Sequence, residues 1–167
     1  MGQSKALLQI RNKPLVNLHV DALRTVCRNI VVVVGGQAEA VQTVLDPDII
    51  VVHNPNWADT HMSDSLRMGL EGCHGVALVT PIDCEPAPEH VLHALAKAGA
   101  PAVTQFQQED GHPVLIDVAK IRASTGTLQE VLRTAQRIPL RWSGALHNWN
   151  TPDQWSDYSS PPDPERN

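Results

Sequence analysis

No cluster of Lys and Arg occurs anywhere in this 167-residue sequence, and charged residues make up only 19% of it. A nucleic-acid binder carries a basic face, so a net charge of -5 without such a patch argues against nucleic acid as a partner. Cysteine is equally sparse. Three residues, Cys27, Cys73 and Cys84, make an odd count with no CxxC pair, which speaks against a zinc site or a disulfide framework. That usage fits a reduced, cytoplasmic setting. Long hydrophobic runs are missing too. The longest, residues 30–34, is far below the roughly 20 residues that span a bilayer, and no signal peptide is visible. Neither a membrane nor an internal repeat enters the reading.

What remains is a chain with an ordinary hydrophobic share of 42%, long enough to bury a substantial core as one domain. The expected domain covers residues 1–155. The end of the chain, 156–167, contains SSPPDPERN at 159–167 and is expected to be disordered. Apolar runs at 30–34, 49–52, 76–80 and 101–106 read as buried strands. Leu15, Leu18, Ala22, Leu23 and Val26 recur at helical spacing, predicting a helix over 14–27. Further helices are expected over 38–45, from Ser63 or Asp64 to Leu70, over 86–98, and from Thr127, with Glu130 in the capping-box position, to Ala135. A hairpin-type turn over 107–111 leads to a strand at 113–116, and a last strand is expected at 138–142. Strands alternating with helices predict an α/β fold with a mostly parallel sheet covered on both faces.

The stretch that organises this pattern is GVALVTPIDC, residues 75–84. A buried strand there delivers a lone carboxylate, Asp83, at its carboxyl end, where open α/β sheets bind ligands. Such a carboxylate can hold magnesium, an oxygen-seeking ion that bridges phosphates; it can equally be a cap or turn residue ahead of Pro86. Asn54 directly follows a strand, and Ser63 and Ser65 sit at a helix start where backbone amides favour an anion or polar ligand; a capped surface helix is the plainer alternative. His112, held between Gly111 and Pro113, is placed to donate to a phosphate or a carbonyl, or is simply a turn histidine. Asn148 and Asn150 alternate along an extended segment and so share a face, which suits orienting a metal's water or a phosphate as well as an ordinary helix cap. His19, His90, His93 and His147 show no ligand spacing.

Taken jointly, these stretches resemble the molybdenum-cofactor nucleotidyltransferases, the MobA-like guanylyl and cytidylyl enzymes that attach a nucleotide to molybdopterin. The matching pieces are MGQSKALL at the start, KPL at 13–15, VVVVGG at 31–36 and NPNWADTHMSDSLRMGL at 54–70. VTPID at 79–83, GHPVLI at 111–116 and NWNTPDQW at 148–155 complete them. Their order and spacing agree over nearly the whole chain. The GHP element is more typical of the cytidylyl branch, the NxNTP ending of the guanylyl branch, so CTP and GTP both stay open. The resemblance implies a Rossmann-like three-layer sandwich, as in nucleotide-diphospho-sugar transferases. It also implies transfer of CMP or GMP to molybdopterin with release of pyrophosphate, and a molybdoenzyme client as a further partner. In that reading Lys5 neutralises nucleotide phosphates, Asp83 holds Mg2+, and Asn54 with Ser63 and Ser65 shapes the nucleotide and acceptor cleft. His112 faces the acceptor, and Asn148 and Asn150 the metal region.

Two departures stand out. The family opens with a strand and a glycine-rich loop of the form LAAGxSxRMG, and this sequence starts at the Met-Gly of that motif. Met1 is therefore expected to be an internal methionine of a longer reading frame. Without that strand, residues 30–34 and 76–80 are expected to show unpaired edges, at about 1–3 kcal/mol for each buried polar group left unsatisfied. In addition, Thr60-His61 replaces a glycine often found before the methionine of the 54–65 loop. Two alternatives follow: a non-catalytic family member serving as a binding or chaperone module for molybdoenzymes, and a nucleotidyltransferase for another phosphorylated acceptor such as a sugar phosphate.

Overall fold

The computed structural model describes residues 4–149; Asn150 and the expected tail lie outside the described residues. After a 3-10 turn at Lys5–Leu7, two short strands, β1 (Gln9–Ile10) and β2 (Lys13–Pro14), form an antiparallel ribbon that leads into helix α1 (Leu15–Arg24). The chain then alternates through β3 (Val31–Val34), α2 (Ala38–Val44), β4 (Ile50–His53), α3 (Met62–Gly69), β5 (Val76–Val79) and α4 (Glu89–Lys97). Strands β6 (Ala102–Phe106) and β7 (Glu109–Asp117), helices α5 (Val118–Ala123) and α6 (Leu128–Leu132), and strand β8 (Gln136–Pro139) follow.

β3 and β4 pair in parallel, while β5, β7, β6 and β8 form a four-stranded sheet in that order. β7 runs antiparallel to both neighbours and β8 parallel to β6, so three of the four strands share one direction. This is a mixed α/β architecture, with parallel and antiparallel pairings both present. Among the described residues β3 pairs only with β4, and β5 only with β7, so the two edges expected to be open are open.

The side-chain period of two sorts the core into two layers. Ala77, Val79, Val103, Val114 and Ile116 pack under Leu66 and Leu70 at α3, Ile121 of α5 and Leu128 and Leu132 of α6. On the opposite face Leu78, Ala102, Leu115 and Ile138 meet Leu95 of α4, and Leu78 also joins Leu92 of α4 and Leu23 of α1. α1 reaches across to β3 and β4 as well, where Val20 packs with Ile30, Ile49 and Val51. α3 does the same on the other face, because Gly69 lets the helix backbone close onto Val33. Two helices therefore tie the two sheets together, one on each face.

Several local expectations change, among them the last strand, which covers Gln136–Pro139 rather than 138–142. α3 begins at Met62 with His61 as its cap, because the Asp64 carboxylate accepts the His61 N–H at 3.0 Å; Ser63 and Ser65 lie inside the first turn. The turn between β6 and β7 is only Gln107-Gln108, both with positive φ, which puts Gly111 inside the strand. α5 was not anticipated. Asp117 ends β7 and at once caps this helix by accepting the Lys120 N–H at 3.1 Å. By contrast, Thr127 and Glu130 form the expected capping box at the start of α6.

Candidate active site

Asp83 sits four residues past the end of β5, in a turn closed by the Cys84 N–H donating to the Pro81 carbonyl at 3.2 Å. Ile82 faces inward, packing against Val16 and Val34 in one cluster and Leu15 and Trp149 in another. Burial of Ile82 turns its neighbour Asp83 outward, where the carboxylate is about a quarter exposed. Lys5 reaches it from the N-terminal 3-10 turn, with Nζ 3.4 Å from Oδ2.

The backbone on either side of this carboxylate is held from two further directions. The Trp149 N–H donates to the Asp83 carbonyl at 2.7 Å, and Asn148 forms an antiparallel bridge with Cys84, its Oδ1 3.4 Å from the Cys84 Sγ. From α1, Nε2 of the buried His19 donates to the Cys84 carbonyl at 3.1 Å. Burial pulls the His19 pKa down to about 4, against the weaker upward pull of its backbone bonds and of Asp83, so the ring is neutral near pH 7. Burial, reinforced by the Asp83 charge, pushes the Cys84 thiol up to about 12. A thiol so protonated is no nucleophile.

His112 joins this group from β7. Its pKa is lowered by burial, although Asp83 and a backbone bond to Val79 pull the other way. Its Nδ1 is buried and without a partner among the described residues. The ring is held neutral by burial and lies near enough to Asp83 to feel its charge.

Asn54 belongs to a second group. It is buried, and its amide is spent inside its own loop: Nδ2 donates to Thr60 Oγ1 at 3.0 Å and Ser65 Oγ at 2.9 Å, while Oδ1 accepts the Asn56 N–H at 3.1 Å. Asn54 and Ser65 thus set the shape of the 54–65 loop against α3. Ser63 is half-buried in the first turn of that helix. Of the sequence-predicted residues, then, Lys5, Asp83, His112 and Asn148 converge, Asn54 and Ser65 build a neighbouring loop, and Asn150 lies outside the described residues. His19 is the residue that sequence reasoning missed. It sits at a core position of α1, and nothing in its local spacing reveals a partner 65 residues away.

A divalent ion fits this donor set in one specific manner. Among the described residues no group of three or more His, Cys, Asp and Glu side chains could cage a metal. A single carboxylate, a quarter exposed, with an amide oxygen nearby, matches an ion that keeps its waters and shares its shell with phosphates, as magnesium does. No helix among the described residues is long and apolar enough to cross a membrane.

Solved structures share this fold. That of Rv0371c from Mycobacterium tuberculosis, in complex with manganese, superposes with a TM-score of 0.77 at 18% identity, covering 93% of this chain and 91% of that one. A nucleotidyl transferase from Methanothermobacter, Mth528, gives 0.77 at 19% identity, with 93% and 83% covered. Molybdopterin-guanine dinucleotide biosynthesis protein A from Archaeoglobus fulgidus gives 0.63 at 14%, with 95% and 90% covered. No curated protein sequence matches the chain. The sequence does match the MobA-like NTP transferase domain over residues 1–141. With that match spanning most of its length, the chain belongs to the MobA-like NTP transferase family and is a nucleotidyltransferase.

Proposed function

We propose that the protein transfers CMP or GMP from the nucleoside triphosphate to molybdopterin, in a cytoplasmic step of molybdenum-cofactor maturation. The observation that carries this reading is the meeting of Lys5 and Asp83, 3.4 Å apart, in the mouth of the sheet beside His112 and Asn148. A phosphate oxygen of the acceptor forms a bond to the α-phosphorus of the triphosphate. The bond from that phosphorus to the bridging oxygen breaks, and pyrophosphate leaves with the electron pair. No covalent enzyme intermediate is needed, which agrees with the Cys84 thiol staying protonated.

The protein's part in such a transfer is positioning and charge neutralisation. Lys5 places a cation against the triphosphate. Asp83, with Asn148 at its side, would hold Mg2+, which would supply neutralisation of the phosphate charge. The manganese complex of Rv0371c, a fold relative, supports a divalent ion in this family of shapes. His112, neutral and within reach of the Asp83 charge, would face the acceptor side.

The test is pyrophosphate release from CTP and from GTP, each with Mg2+ and molybdopterin. Turnover is expected with one triphosphate, abolished by Asp83→Ala and lowered at least ten-fold by Lys5→Ala. Undiminished turnover in Asp83→Ala would refute the metal role. Turnover with a sugar phosphate but not with molybdopterin would reassign the acceptor.

A further inference from the structure

Trp57 is large, apolar and 54% exposed, yet it is held rigidly. Its indole lies along the turn that ends β3. A Cβ placed on Gly35 would come within 2.5 Å of the Trp57 Cγ and 3.0 Å of its Cδ1. One placed on Gly36 would lie 3.0 Å from Cζ2 and 3.3 Å from Cε2. The ring therefore runs lengthwise across both glycines, and any side chain there would displace it. Only a glycine pair leaves this slot.

The loop that carries the ring is fixed as well. The Trp57 N–H donates to the Asn54 carbonyl at 3.4 Å, the Asp59 N–H to the Asn56 carbonyl at 2.9 Å, and Thr60 Oγ1 to that same Asn56 carbonyl at 3.0 Å. One face of the indole is thus covered by glycine backbone, and the exposed area belongs to the other face and its edge. This is an aromatic platform with little conformational entropy left to lose.

Its place in the fold is connected to Lys5 and Asp83. Gly36 precedes Gln37, whose Oε1 accepts the Ser4 N–H at 3.0 Å, and the next residue is Lys5. The Ser4–Gln37 bond thus sets the turn under the indole beside the segment that carries Lys5.

We infer that Trp57 is a stacking platform for the planar heteroaromatic ring of a substrate held at Lys5 and Asp83. The ring is either the base of the nucleotide or the pterin of the acceptor. The inference rests on the proposed transfer reaction for the location of the triphosphate, and on the glycine cradle for the platform itself. Stacking on an aromatic ring suits any flat π-system, so the platform supplies affinity for a ring without reading its hydrogen-bonding edge.

The experiment is equilibrium titration of the full chain, with Mg2+, against CTP, GTP, ribose 5-triphosphate and 6-hydroxymethylpterin. It compares wild type with Trp57→Leu, Trp57→Phe and Asp83→Ala. Leucine fills the slot over the glycines without a π face; phenylalanine restores one. Trp57→Leu is expected to weaken at least one ring-bearing probe by roughly 5- to 100-fold while ribose 5-triphosphate binds as before, and Trp57→Phe to recover most of the loss. A loss confined to CTP or GTP assigns the platform to the base, and one confined to the pterin assigns it to the acceptor. Equal binding of every probe by wild type and Trp57→Leu overturns the inference, as does a wild type that binds ribose 5-triphosphate but no ring-bearing probe. Unchanged ribose 5-triphosphate binding in Asp83→Ala, with ring binding still lost in Trp57→Leu, would instead remove the metal reading and leave the platform standing.

Discussion

The ammonium of Lys5 stands 3.4 Å from Oδ2 of Asp83 across 78 residues of chain. Both side chains keep about a quarter of their surface in water. A pair so placed contributes about 0–1 kcal/mol to folding, and the Ile82 beside it does the packing. Asp83→Asn and Lys5→Met are accordingly expected to shift the thermal midpoint by no more than about 2–4 °C, while each removes a charge that the proposed reaction uses. Calorimetry run beside the pyrophosphate assay checks the split. A midpoint that collapses together with activity would make the pair a structural element.

His19 predicts how stability depends on pH. Burial lowers its folded pKa from 6.5 to about 4. Between these values the unfolded chain binds a proton that the folded chain does not, so stability rises with pH across that window. The contribution is complete above about pH 6.5, falls as the solution is acidified, and is lost by about pH 4. The shift corresponds to about 3 kcal/mol. Urea melts at a series of pH values should show this slope in wild type and its absence in His19→Gln. An unchanged slope in the variant would assign the acid sensitivity to other groups.

How much of this molecule can be read from its sequence depends on where the deciding partner lies. Short apolar runs between amphipathic segments announce the α/β alternation, because periods of 2 and 3.6 are local properties. The Asp83 position is legible for a similar reason, since it lies four residues past an apolar run, although that run forms a strand with Val76 exposed rather than a buried one. The cap of α3 is not where hydroxyls suggest, since Asp64 reaches back to His61 and does from inside the helix what Ser63 would do from its start. The β6–β7 turn hides because Gln107 and Gln108 adopt positive φ without the Asn-Gly signal that such turns normally carry. His19 and Trp149 hide most completely. Their bonds to the Cys84 and Asp83 carbonyls exist only after distant segments have been brought together.

Gly111 gives a prediction that follows from that correction. Placed within β7, it opposes the Ala145 backbone so closely that any Cβ would collide with the Ala145 carbonyl oxygen. Its glycine is required by contact rather than by turn geometry. Gly111→Ala must push the 143–146 segment away, at a cost of about 1–3 kcal/mol for overpacking. That segment leads directly to Asn148 and Trp149, which hold the Asp83 turn. The variant should therefore lose both stability, read by chemical denaturation, and affinity for the metal-bound triphosphate, read by titration. A stability loss with unaltered triphosphate affinity would uncouple the two.

Thr104 gives a prediction of opposite sign. It lies in β6 at the irregular register beside Val103, fully buried, with a hydroxyl that has no hydrogen-bond partner among the described residues. An unsatisfied buried hydroxyl costs about 1–3 kcal/mol relative to a paired one. Valine has nearly the same shape and nothing to desolvate, and the surrounding strands β7 and β8 already present aliphatic side chains such as Val114 and Ile138. Thr104→Val is expected to leave the fold intact and to raise the urea midpoint, with the denaturant slope unchanged because the same surface is buried. A fall in the midpoint would mean that the hydroxyl is paired in solution, through a water molecule bridging the bulge, and that the irregular register of β6 exists to house it.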